Sequence, residues 1–207
     1  MQKFFTAIIS LLFFYHISYS QTQQGNFAVS GGTNVSLLFS NTDRGMEDAL
    51  DNDVKSKDYS FHVRFGYFVI DDLAVNITTS YQYSYYKKQV YLGPVYEEDI
   101  QNTISLIPSL TYFFPVEGKL KPSVSLGAGY VALKERNNQY STPESIVYHY
   151  GGLSLNAGAG VSFFLNKNVS FDLGLQYSRN KLNDKAGDNR SQLQNIFGVM
   201  TGVSVYF

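Results

Sequence analysis

The hydrophobic pattern of this chain has a period of two, and it keeps that period along almost its whole length. Side chains two apart on a strand share a face, so strict alternation marks a half-apolar strand. From Phe27 the apolar set is Phe27, Val29, Val35, Leu37 and Phe39, set against Ala28, Ser30, Gly32, Asn34 and Ser36. The alternation recurs over 59–69, 73–85, 100–114, 124–130, 153–163 and 169–177, and again from about Leu193 to Phe207. That makes eight segments, an even number.

The links between segments alternate in length. Short ones, "DD", "PVEGK" and "LNKN", follow the second, fourth and sixth segments. Long polar ones, "NTDRGMEDALDNDVKSK", "KKQVYLGPVYEE", "KERNNQYSTPESIV" and "RNKLNDKAGDNRSQ", follow the first, third, fifth and seventh. Short turns at one end and long loops at the other describe a membrane barrel with periplasmic turns and extracellular loops.

Charge separates this reading from a soluble barrel. Of 16 Lys+Arg and 17 Asp+Glu, only Arg64 and Asp172 sit well inside a segment. The less apolar face is Ser, Gly, Asn, Gln and Thr, which suits a narrow lumen where neutral groups bond one another. The apolar face then meets lipid, where a closed barrel leaves no backbone group unpaired. The expected fold is all-β, an eight-stranded antiparallel up-and-down transmembrane β-barrel.

Aromatic residues cluster at the segment ends. Phe65, Tyr67, Phe68, Phe113, Phe114, Phe163 and Phe164 flank the short turns, and Tyr81, Tyr83, Tyr85, Tyr86, Tyr148, Tyr150 and Tyr177 flank the long loops. These read as two interfacial girdles. Pro108 falls inside the fourth segment, where a strand paired on both sides needs its N–H. A bulge or a shifted register is expected there.

Residues 1–20, "MQKFFTAIISLLFFYHISYS", carry Lys3, an apolar run and small residues before a cut ahead of Gln21. This is the layout of a secretory signal peptide, leaving 21–207 as a single barrel domain. No cysteine is present, so thiol chemistry is excluded, and a net charge of −1 argues against nucleic acid as a partner.

At this point the chain resembles the OmpA/OmpX-like superfamily of small outer-membrane β-barrels. "FGYFVIDDLAVNITTSYQYSYY" is similar to that family's second hairpin, and "SVSLGAGYVAL" and "LNAGAGVSFFLNKNVSFDLGLQYS" to its Gly-rich later strands. Tyr206 and Phe207, after Val205, resemble the family's C-terminal assembly signal. The resemblance implies a barrel domain alone, inserted in the outer membrane of a Gram-negative-type bacterium after export through the periplasm. Its implied partners are outer-membrane lipid and, during biogenesis, the barrel-insertion machinery.

Catalytic chemistry is thinly represented. His62 and His149 lie on different segments without an acidic or His partner at metal-ligand spacing. A Ser-His-acid set built from His149, Glu144 and a rim serine has no support from spacing, and "GAGAG" lacks the strand-to-helix context of a phosphate loop. No cofactor, metal site or enzyme activity is expected. Arg64 and Asp172 are expected to meet as a structural ion pair across the lumen. Eight strands leave an interior that side chains fill. The function read from this is a structural or surface-interaction barrel with a packed lumen, whose long loops bind an unknown extracellular ligand. The alternative is a narrow-pore transporter of small solutes or a barrel enzyme acting on outer-membrane lipid.

Overall fold

The computed structural model describes residues 22–39, 54–89, 96–139, 145–185 and 191–207. The expected signal peptide and the loop over 46–53 lie outside the described residues. The strands are β1 (Phe27–Phe39), β2 (Val54–Ile70), β3 (Leu73–Gln89), β4 (Tyr96–Phe113), β5 (Leu120–Gln139), β6 (Ile146–Phe164), β7 (Val169–Asp184) and β8 (Ser191–Tyr206). Each pairs antiparallel with the next, and β8 returns to β1 to close the barrel.

Outward faces carry the expected apolar set. Leu126, Phe65 and Leu173 are 69%, 57% and 52% exposed, and comparable side chains recur around the ring. An apolar belt of that extent has no place in water. Inward positions carry Ser, Gly, Asn, Gln and Thr, from Ser30 on β1 to Ser204 on β8.

The strands overrun the expected segment ends on the long-loop side. Residues 134–139 continue β5, 179–184 continue β7, and 87–89 with 96–98 extend the β3–β4 hairpin. A tilted strand crosses lipid in about 9–11 residues, whereas β1 has 13 and β5 has 20. Charges therefore mark where lipid ends, and backbone pairing continues beyond it.

Pro108 produces neither a bulge nor a shift. It pairs with Ile77 on β3, while the β4–β5 ladder passes from Leu106↔Tyr130 to Ser109↔Gly127 in an unchanged register, omitting two pairs. The missing N–H thus costs a local gap on one side only. Inward-facing glycines let the strongly curved sheet close. A Cβ at Gly129 would stand 2.1 Å from the Leu106 carbonyl oxygen, and one at Gly152 would stand 1.8 Å from that of Lys181.

The β1–β2 seam differs from the others. Its ladder covers Phe27↔Tyr67 to Gly32↔His62. Above it Ser60 takes over, donating to the Asn34 carbonyl at 2.5 Å while its own carbonyl accepts from Thr33 Oγ1 at 2.8 Å.

Candidate functional site

The lumen is a stack of layers, and its lowest layer is the N-terminal segment. Thr22 is buried beneath the barrel, and its carbonyl accepts the Asp72 N–H at 2.7 Å. Its hydroxyl donates to the Asp72 carboxylate and accepts from Lys121 Nζ at 2.7 Å, with Lys121 Nζ 3.3 Å from Asp72. Asp72 holds φ 61 in the tight β2–β3 turn, a left-handed conformation that Asp tolerates better than most residues.

Above this clasp lies an aromatic plug. Phe68, Phe113, Phe164 and Tyr206 are buried together with Ala74. The ring centroids are 5.7 Å apart for Phe68–Phe113 and 5.2 Å for Phe164–Tyr206. This corrects the girdle assignment. Phe65, Tyr67, Phe114 and Phe163 point outward, but Phe68, Phe113 and Phe164 point in. Their parity carried the signal, since each stands on the Ser/Gly/Asn face of its strand. The same applies to Tyr150 at the other end, which packs inside on Val131, Leu133 and Leu182.

Between the plug and this upper apolar layer the lumen is polar. Two cavities, of about 70 and 120 Å³, share His62, Arg64, Ser125 and Met200 in their walls. Asp172 accepts from Ser170 Oγ at 2.8 Å and from Ser204 Oγ, which also bonds Ser30 Oγ at 2.6 Å. Arg64 Nε donates to Thr78 Oγ1 at 3.3 Å. Both charges line the lower cavity and lie within electrostatic range of each other. Among the described residues no direct ion pair joins them, and each is held by neutral hydroxyls instead. Further up, Asn156, Ser154, Gln176 and Asn180 bond one another at 2.6–2.9 Å. The Nδ1 of His62 and the Oδ1 of Asn34 are buried without a protein partner.

The terminal pair divides between the two faces. Tyr206 is buried in the plug, whereas Phe207 is 56% exposed and exchanges backbone bonds with Phe27 at 2.9 and 3.1 Å. His149 is exposed on the outward face of β6, away from His62. Glu144 lies outside the described residues. Among the described residues no group of three His, Asp or Glu side chains is placed to hold a metal ion.

Beyond the lipid-spanning part, Tyr85 on β3 and Asn138 on β5 flank Glu98 on β4. The Tyr85 hydroxyl, then Asn138 Nδ2 at 3.1 Å, donate to the carboxylate and hold its pKa below the usual range.

The family model for the outer membrane protein beta-barrel domain matches residues 5–207. Among curated proteins no sequence matches. Solved structures share the fold at low identity. OprG from Pseudomonas aeruginosa is 16% identical with a TM-score of 0.56, over 91% of this chain and 99% of that one. Ail from Yersinia pestis, in complex with the heparin analogue sucrose octasulfate, is 15% identical with a TM-score of 0.54, over 89% and 100%. The outer membrane protease OmpT from Escherichia coli is 11% identical with a TM-score of 0.52, over 88% and 94%.

Proposed function

Because the chain belongs to the outer membrane protein β-barrel domain family, a Gram-negative-type outer-membrane family, we propose that it works as a closed-lumen surface barrel. In this reading it is a structural and interaction scaffold whose long loops face the exterior and bind an extracellular ligand. Tyr206 and Phe207 serve as the assembly signal read by the insertion machinery. Neither transport nor catalysis is part of its role.

One observation carries the proposal. An aromatic plug drawn from alternate strands, Phe68, Phe113, Phe164 and Tyr206, fills the lumen at the turn end, and Val131, Leu133 and Leu182 of β5 and β7 add an apolar cluster inside the loop end. The cavities between them, about 120 and 70 Å³, are small against the roughly 300–1,000 Å³ of a ligand pocket. Ser30, Ser80, Ser105, Ser154, Ser170, Ser178 and Ser204 bond Ser, Asn, Gln, Asp and Tyr groups rather than a histidine, so none of these is paired with a general base of the Ser-His kind.

The test is planar-bilayer conductance of the refolded protein, with phospholipid ester hydrolysis measured beside it. The expected result is no steady conductance and no hydrolysis. A stable wild-type channel would overturn the closed lumen, and turnover of lipid would overturn the non-catalytic role.

A further inference from the structure

The outward faces of β5, β6 and β7 carry a one-sided distribution of charge where they leave the apolar belt. Alternation puts Lys134 outward on β5, His149 on β6, and Arg179, Lys181 and Lys185 outward on or just beyond β7, and all five are exposed. No Asp or Glu stands at an outward position of these three strands. Their acidic residues, Glu135, Asp172 and Asp184, all have inward parity. Among the described residues none of the five basic side chains is ion-paired. The β3–β4 hairpin behaves differently, because there Glu98 lies beside Lys87.

Register brings the cations together. Lys134 is paired with His149, whose carbonyl accepts the Lys185 N–H at 2.8 Å, so one row crosses three adjacent strands. A second row runs Tyr130↔Leu153↔Lys181, and Arg179 lies one further row toward the belt. Adjacent strands are about 4.8 Å apart and alternate residues about 6.8 Å, so long side chains from these rows reach one headgroup-sized area.

The centre of that area is Gly151. A Cβ there would stand 2.1 Å from the Tyr130 hydroxyl and 2.7 Å from Lys185 Cε, so the absent side chain makes the hollow in which the two meet. Lys185 Nζ lies 5.7 Å from the Tyr130 ring centroid. Its ammonium is thereby drawn down to the aromatic boundary of the membrane, beside the donor hydroxyl of Tyr130. Immediately below are Leu153, Leu155 and Leu126, all exposed to the acyl region.

We propose that this face binds a phosphate-bearing glycolipid headgroup of the outer leaflet, with Lys134, Lys181, Lys185 and the Tyr130 hydroxyl on the phosphates and the leucines against the acyl chains. Position decides the occupant. The cations sit at headgroup depth above a lipid-facing surface, where a doubly phosphorylated lipid meets both halves of the site at once. A soluble anion would meet only the upper half. The leaflet concerned rests on the loop-outward orientation proposed above, whereas binding itself does not.

Native mass spectrometry of the barrel released from nanodiscs tests the proposal, using lipid A with both phosphates, the same lipid without phosphate, and inorganic phosphate as probes. Retention of the phosphorylated lipid alone is expected. Each cation at an anionic lipid surface contributes about fivefold in affinity, so Lys134→Ala/Lys181→Ala/Lys185→Ala should lose about 100-fold. The matching triple Lys→Arg variant should keep binding, and Lys87→Ala on the opposite side should change nothing. Equal retention of the phosphate-free lipid, wild-type affinity in the triple alanine variant, or full displacement by inorganic phosphate would overturn the proposal. Nanodisc binding is blind to orientation in the cell, so failure of the orientation and failure of the site are separable.

Discussion

Phe68→Ala tests whether the aromatic plug is a packed core or a loose lining. Phe68 is 0% exposed and lies 5.7 and 6.3 Å from the rings of Phe113 and Tyr206. Losing the buried ring forfeits a transfer free energy of about 2 kcal/mol. It also leaves a void of roughly 100 Å³, which at about 24 cal/mol per Å³ adds on the order of 2 kcal/mol where the walls cannot collapse. The expected loss is about 4 kcal/mol. Phe65 provides the internal control, three residues earlier on the same strand but outward and 57% exposed. Lipid fills the space that Phe65→Ala vacates, so the cavity part is absent and the loss should be about 2 kcal/mol. Urea unfolding of the two variants in bilayer vesicles, with unchanged m-values, measures the difference of about 2 kcal/mol. Equal losses at the two positions would refute the packed plug.

Four further outcomes follow from the same structure. Arg64→Ala and Asp172→Ala should each destabilise the barrel, because each leaves the other buried charge without an opposite charge in the lumen, and the double variant should cost less than their sum; additive losses in bilayer urea unfolding would mean the two charges act independently. Glu98 should titrate below its ordinary value of 4.5, so its stabilisation is present above that pH and lost as pH falls through the lowered midpoint; an NMR titration should show Tyr85→Phe moving the midpoint back up, and no movement would remove the hydroxyl as the cause. Deleting Phe207 should lower outer-membrane yield without affecting export, and fractionation showing normal yield would make the terminal ring incidental. Protease added to intact cells should cut in 46–53 or 186–189 and spare the turns at Asp71 and Asn166; cleavage confined to those turns would reverse the orientation.

The alternation of Phe27, Val29 and their successors was enough to place eight strands, their order and the face that meets lipid. Period two is a local property, because a side chain's face follows from its own backbone whatever its neighbours do. The placement of Arg64 and Asp172 on the inward face was legible for the same reason. Parity also assigned Phe68, Phe113 and Phe164 inward, against the composition argument that aromatics near a turn belong to a girdle. Their position beside Phe65, Tyr67 and Phe114 hid them.

Other features needed the closed ring. The ends of β5 and β7 depend on whether a neighbour is present to pair with, not on where charges begin, so residues 134–139 and 179–184 were read as loop and are strand. Pro108 keeps its register because β3 pairs with it on one side while Gly127 and Gly129 let β5 close in on the other. The Thr22–Asp72–Lys121 clasp joins residues far apart in the chain, and no spacing rule connects them. Period two settled which face each residue occupies, while curvature and register around the barrel settled which residues on that face touch, because contact across a lumen is set by closure of the whole sheet and not by any one strand.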